Sequence, residues 1–80
     1  MNEQLLKDEK HAIDCGHTFN VHIKSGKGQP WVEIQSGINT LSEALILANS
    51  FTDYEVGILF NGYIYWSSRL NIFNSSVLYH

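Results

Sequence analysis

From His17 to Lys24 apolar and polar residues alternate, with Phe19, Val21 and Ile23 on one side and Thr18, Asn20, His22 and Lys24 on the other. A period of two predicts a half-buried strand. Ser25-Gly26-Lys27-Gly28-Gln29-Pro30 interrupts it with two glycines and a proline, and the alternation resumes over Trp31-Val32-Glu33-Ile34-Gln35. The two runs read as an antiparallel hairpin with Val32 and Ile34 inward, Trp31, Glu33 and Gln35 outward, and Gly37 as its end.

Thr40-Leu41-Ser42-Glu43 fits a capping box, in which the Thr40 hydroxyl accepts from the Glu43 amide and the Glu43 side chain returns the bond. The following residues change period to 3.6, placing Leu41, Ala44, Leu45, Ala48 and Phe51 on one helical face. Ile46 and Leu47 are apolar as well, which predicts neighbours on more than one side. Beyond this helix, Glu55–Phe60 and Tyr63–Ser68 flank Asn61-Gly62, the pair best suited to a type I′ turn because both of its positions need positive φ. Such a loop pairs Phe60 with Tyr63, Ile58 with Tyr65 and Val56 with Ser67 on one face, and Leu59 with Ile64 and Gly57 with Trp66 on the other. Trp66 would then lay its ring over the bare Gly57 backbone. Both faces of this hairpin are apolar, yet one helix covers only one. The second must be covered by the N-terminal helix, the tail, a second copy or a foreign partner.

Residues 1–14 are rich in helix formers, with Asn2 placed to cap, Gly16 placed to stop, and Leu5, Leu6, Glu9, Ala12 and Ile13 as a narrow stripe. The expected architecture is a single α+β domain over residues 1–80 in αββαββ order. A short N-terminal helix (1–14) precedes a ββαββ core (17–68), in which an antiparallel sheet of about four strands packs on one main helix, and a C-terminal tail (69–80) follows. The spatial order of the two hairpins does not follow from local pattern.

Charge narrows the function. Only 16% of the 80 residues are charged, against roughly 25% in an ordinary domain, and the five cations Lys7, Lys10, Lys24, Lys27 and Arg69 form no stripe. Binding to nucleic acid runs on clustered Lys and Arg displacing counterions, so no direct nucleic-acid partner is expected. A single cysteine excludes an internal disulfide, no stretch reaches the roughly 20 apolar residues of a membrane span, and the first ten residues lack a signal-peptide core. A cytoplasmic protein that does not engage membranes is the expectation.

His11, Cys15, His17 and His22 give H-x3-C-x-H-x4-H, which matches no zinc template, and on a strand His17 and His22 fall on opposite faces. A buried structural Cys15 with satisfied histidines is the plainer reading. Cys15 activated by a nearby His is the one arrangement for nucleophilic catalysis. Gly26-x-Gly28 lacks the third glycine and following helix of a phosphate cradle, and Asp53 and Glu55 read as solvated acids beside a strand start. No enzyme, metal site or cofactor is expected.

The aromatic set says more, because Tyr and Trp bury large areas with few rotors and keep a polar tip, which enriches them at interfaces. Trp31, Tyr63, Tyr65 and Trp66 are the expected partner-binding residues. The succession of a strand, Thr40-Leu41-Ser42-Glu43-Ala44-Leu45 with Ala48, and a strand closing on Phe60-Asn61-Gly62 resembles the small α+β proteins that bacteriophages encode against host machinery. It is similar in style to the phage inhibitor of bacterial RNA polymerase, to anti-CRISPR and other anti-defence proteins, and shares its turn chemistry with antitoxins. The resemblance spans Phe19 to Trp66 and carries over no functional residue. It implies a non-catalytic inhibitor that occludes a host protein or protein complex of defence or transcription. The alternatives are an oligomeric binder of signalling nucleotides, with His22, Lys24 or Arg69 meeting phosphates, and an antitoxin-like component; a homo-oligomer is compatible with either.

Overall fold

The computed structural model describes residues 3–79. Among them run α1 (Glu3–Asp14), β1 (Phe19–Lys24), β2 (Val32–Ile38), α2 (Leu41–Asn49), β3 (Glu55–Phe60), β4 (Tyr63–Ser67) and a 3₁₀ turn (Ser75–Tyr79). The four strands form one antiparallel sheet in the order β2-β1-β3-β4. The fold is thus α+β, and the two hairpins join through β1 and β3, whose register runs unbroken from Phe19 opposite Phe60 to Lys24 opposite Glu55.

That register puts Phe19, Val21, Val56, Ile58 and Phe60 on one face, all of them buried. Helix α2 packs against this face with Leu41, Ala44 and Ala48. Its start follows from the capping residues: the Glu43 amide donates to the Thr40 hydroxyl at 3.2 Å while Thr40 holds extended backbone. Of the two residues expected to find neighbours beyond that face, Leu47 packs against the core while Ile46 is 73% exposed. A single sheet lies beneath the helix, and Ile46 sits on the opposite side from the residues that touch it.

Helix α1 and the tail cover the β4 end of the same face rather than the other face. Leu5, Ala12, Val77 and Leu78 join the one core, while Leu6 and Ile13 of the expected stripe are exposed and Asp8 takes a fully buried position instead. The correction has a polar cause. Asp8 accepts from Gln4 Nε2 at 2.9 Å, from the Tyr65 hydroxyl at 2.6 Å and from Ser75 Oγ at 2.7 Å, so the carboxylate exchanges water for three donors. Burial, reinforced by the Asp8 carboxylate that accepts its proton, pushes the Tyr65 phenol far above its usual range. Gly16, at φ 73, ends α1 with its amide on Ile13 O at 3.0 Å and His17's on Ala12 O at 3.3 Å. Asn2, the expected cap, lies outside the described residues.

Two expectations for strand register are corrected. Strand β2 does not stop at Gly37 but passes through it at φ 70, and it slips register twice against β1. An outer strand with extra residues loses strict alternation, and Val32 and Ile34, expected inside, are exposed. In the second hairpin the Asn61-Gly62 turn holds, with φ of 50 and 84, and so do the pairs Phe60–Tyr63 and Leu59–Ile64. Past Ile64 a bulge puts Trp66 opposite Ile58 and Ser67 opposite Gly57. The inserted residue is Tyr65, so Tyr65 and Trp66 both turn to the core, where their rings lie 5.7 and 6.2 Å from Phe73.

Candidate functional site

With both helices and the tail on one side, the opposite face of the sheet is left without a covering element among the described residues. Its side chains are Asn20, His22 and Lys24 from β1, Glu55, Gly57 and Leu59 from β3, and Ile64 from β4. Trp31, just before β2, reaches across β1 to lie on β3: its ring atoms stand 3.5 Å from where a Cβ on Gly57 would be. The Lys24 ammonium sits 5.7 Å from the centre of that ring. The tryptophan over Gly57 is therefore Trp31, not Trp66, because the bulge moves Trp66 inward.

Beside Trp31 two shallow clefts open. One, of about 380 Å³, is lined by His22, Trp31, Leu59, Gly62 and Ile64. The larger, of about 410 Å³, lies at the β4 edge between Trp31, Ile64, Leu70 and Ile72, with Glu55 and Arg69 on its walls. Leu70 and Ile72 are 68% and 64% exposed, and the loop that holds them out is tied down. The Ser67 carbonyl accepts from Asn71 N at 2.8 Å, and Asn71, at φ 52, accepts the Trp66 indole N–H on its side chain at 3.2 Å. Phe73 bridges back to Trp66, and Asn74 N donates to Tyr65 O at 2.7 Å. Leu70 and Ile72 thus project from a braced segment at the edge of the open face.

Of the four residues read as partner-binding, Trp31 is half-buried on the open face and Tyr63 is exposed beside the turn, while Tyr65 and Trp66 are buried in the core. The face is carried instead by Trp31, Leu59, Ile64, Leu70 and Ile72. Leu70 and Ile72 read in the sequence as cover for the hairpin, since isolated aliphatics in a tail give no periodic signal of which way they point. His22, Lys24 and Arg69, the residues considered for phosphate, do not converge. Lys24 is taken up by Trp31, His22 Nε2 is 4.0 Å from Glu33, and Arg69 lines the other cleft.

A third cleft, of about 260 Å³, lies on the covered side between His11, Cys15, His17, Phe60 and the tail. Cys15 is exposed rather than buried, and its Sγ lies 3.5 Å from His11 Nε2. The same nitrogen is 2.7 Å from the Leu78 carbonyl. A carbonyl oxygen only accepts, so Nε2 carries the proton and donates it to Leu78 O. In that tautomer the nitrogen nearest Cys15 has no lone pair with which to take the thiol proton. His17 packs edge-on against Phe60 at 5.4 Å, and among the described residues no three His, Cys, Asp or Glu side chains stand where they would share a metal ion. No helix among these residues is long and apolar enough to cross a membrane.

No protein-family model, curated protein or solved structure matches the chain.

Proposed function

We propose that this chain is a non-catalytic protein-binding domain, an inhibitor that occludes a host complex of defence or transcription with the open face of its sheet, in the manner of the phage-encoded proteins it resembles. The observation that carries this reading is the apolar strip Trp31, Ile64, Leu70 and Ile72 around one cleft, with Leu70 and Ile72 held in solvent by a braced loop. Apolar patches rimmed by polar groups mark interaction surfaces, because keeping them in water costs solubility without contributing to the core.

The test is capture of the partner from host lysate by tagged protein, with variants checked for folding by circular dichroism. Ile72→Asp and Ile64→Asp are expected to abolish capture, and Ile46→Asp, on the far side of α2, to leave it intact. Equal capture by all three overturns the reading.

A further inference from the structure

We propose that in the absence of a target a second copy of this chain occupies the open face, forming a reversible two-fold dimer. The inference rests on the docking reading above and names an occupant for the same surface. It starts from two charges. Glu55 and Arg69 line one apolar cleft, and neither makes an ion pair among the described residues, where the contact found is His22 with Glu33. An acid and a base on the walls of one cleft, neither ion-paired, can satisfy each other across a two-fold axis. In a two-fold contact, if Glu55 of one copy meets Arg69 of the other, the reverse contact forms as well, and both charges are satisfied without a foreign partner. The apolar residues between them are equally self-complementary, Ile64, Leu70 and Ile72 of one copy meeting Trp31 and Ile64 of the next.

The sheet edges point the same way. At β4 the Trp66–Phe73 bridge and the Asn74–Tyr65 bond occupy the outer side of the strand, and β2 is bent by two register slips, so neither edge is a regular template for a further strand. Association then falls to the face. The molecule measures 34 × 22 × 19 Å, so its sides project from about 420 to about 750 Å², below the roughly 800 Å² per partner of a standard interface. A dimer of that size dissociates readily, leaving the face free for a target.

Sedimentation equilibrium over a concentration series tests this. The wild-type mass should rise from the 9.1 kDa of one chain towards twice that value. Glu55→Arg alone and Arg69→Glu alone should each weaken association by more than about tenfold, since each sets like charges opposite one another. Mixing the two variants should restore it, because in the mixed dimer one copy carries a cation at both positions and the other an anion at both, so opposite charges meet in each half of the contact. That rescue needs no assumption about stability, as a variant damaged in folding is not repaired by mixing. A wild type that stays at one chain's mass throughout, or a dimer indifferent to both charge reversals and to mixing, overturns the proposal. The docking reading fails separately, by capture of a target that survives Ile64→Asp and Ile72→Asp.

Discussion

The Trp31 ring, just before β2, stands over Gly57 of β3, with ring atoms 3.5 Å from where a Cβ on that glycine would lie. This approach joins the two hairpins on the face that no helix covers. Any residue larger than alanine at position 57 would hold the ring off the sheet, so the glycine sets how closely Trp31, a wall of both clefts on that side, approaches it.

The contact grades substitutions at Gly57 by size. The backbone there is not in the left-handed region, and a Cβ would meet Trp31 at 3.5 Å and Leu59 at 3.6 Å. Gly57→Ala is expected to be neutral or to stabilise by up to about 1 kcal/mol, through the lower entropy of the unfolded chain. Gly57→Val drives a methyl into the ring and is expected to cost about 1–3 kcal/mol. Urea unfolding measures both. In a Trp66→Phe background, a red shift of Trp31 fluorescence should accompany valine and not alanine.

Asp8 and Tyr65 make a second prediction, one with a pH dependence. Tyr65→Phe removes a donor from a carboxylate that is out of contact with water and is expected to cost about 1–3 kcal/mol. The folded-state phenol titrates above its ordinary 10.0, so the unfolded chain releases this proton first. The corresponding stability is complete below about pH 10 and is lost as the pH rises beyond it. Chemical denaturation between neutral and strongly alkaline pH should therefore show a steeper decline for wild type than for Tyr65→Phe. Parallel curves for the two would refute the assignment.

The contrast between these residues explains what could be seen in the chain beforehand. Thr40 and Glu43 act across one turn of helix and Asn61-Gly62 across one loop, so cap, turn and the strand pairs nearest the turn were legible. So was the inward row Phe19 and Val21, because a central strand keeps its period. Asp8 is buried by donors 57 and 67 positions away, and no local pattern distinguishes it from Asp14, which is exposed. The bulge at Tyr65 has the same character. One inserted residue turns both Tyr65 and Trp66 inward, so of the four side chains assigned to a docking face only Trp31 lies on the face that no helix covers.

The turn itself yields a third expectation. Gly62 holds φ 84 with open space where a Cβ would be, so alanine there is opposed by backbone strain alone. Gly62→Ala should destabilise by about 1–2 kcal/mol, and Gly62→D-Ala in a synthetic chain should not. Equal stability of the two enantiomers would show that the turn relaxes to another type.

The last prediction separates a binding surface from a structural one. Leu70 and Ile72 are more than three-fifths exposed, so changing either to Asp removes little buried area, and surface substitutions of that kind fall within about 0.5 kcal/mol of neutral. If the two residues serve docking, each variant unfolds at the wild-type urea midpoint while self-association and target capture fall together. Phe73, one residue further on, packs against Tyr65 and Trp66, and Phe73→Ala should instead lose about 3–5 kcal/mol of stability. Measured side by side, midpoint and binding should move independently at Ile72 and fall together at Phe73. A large loss of stability in Ile72→Asp would mean that the loop is part of the core, and the open face would lose its principal anchors.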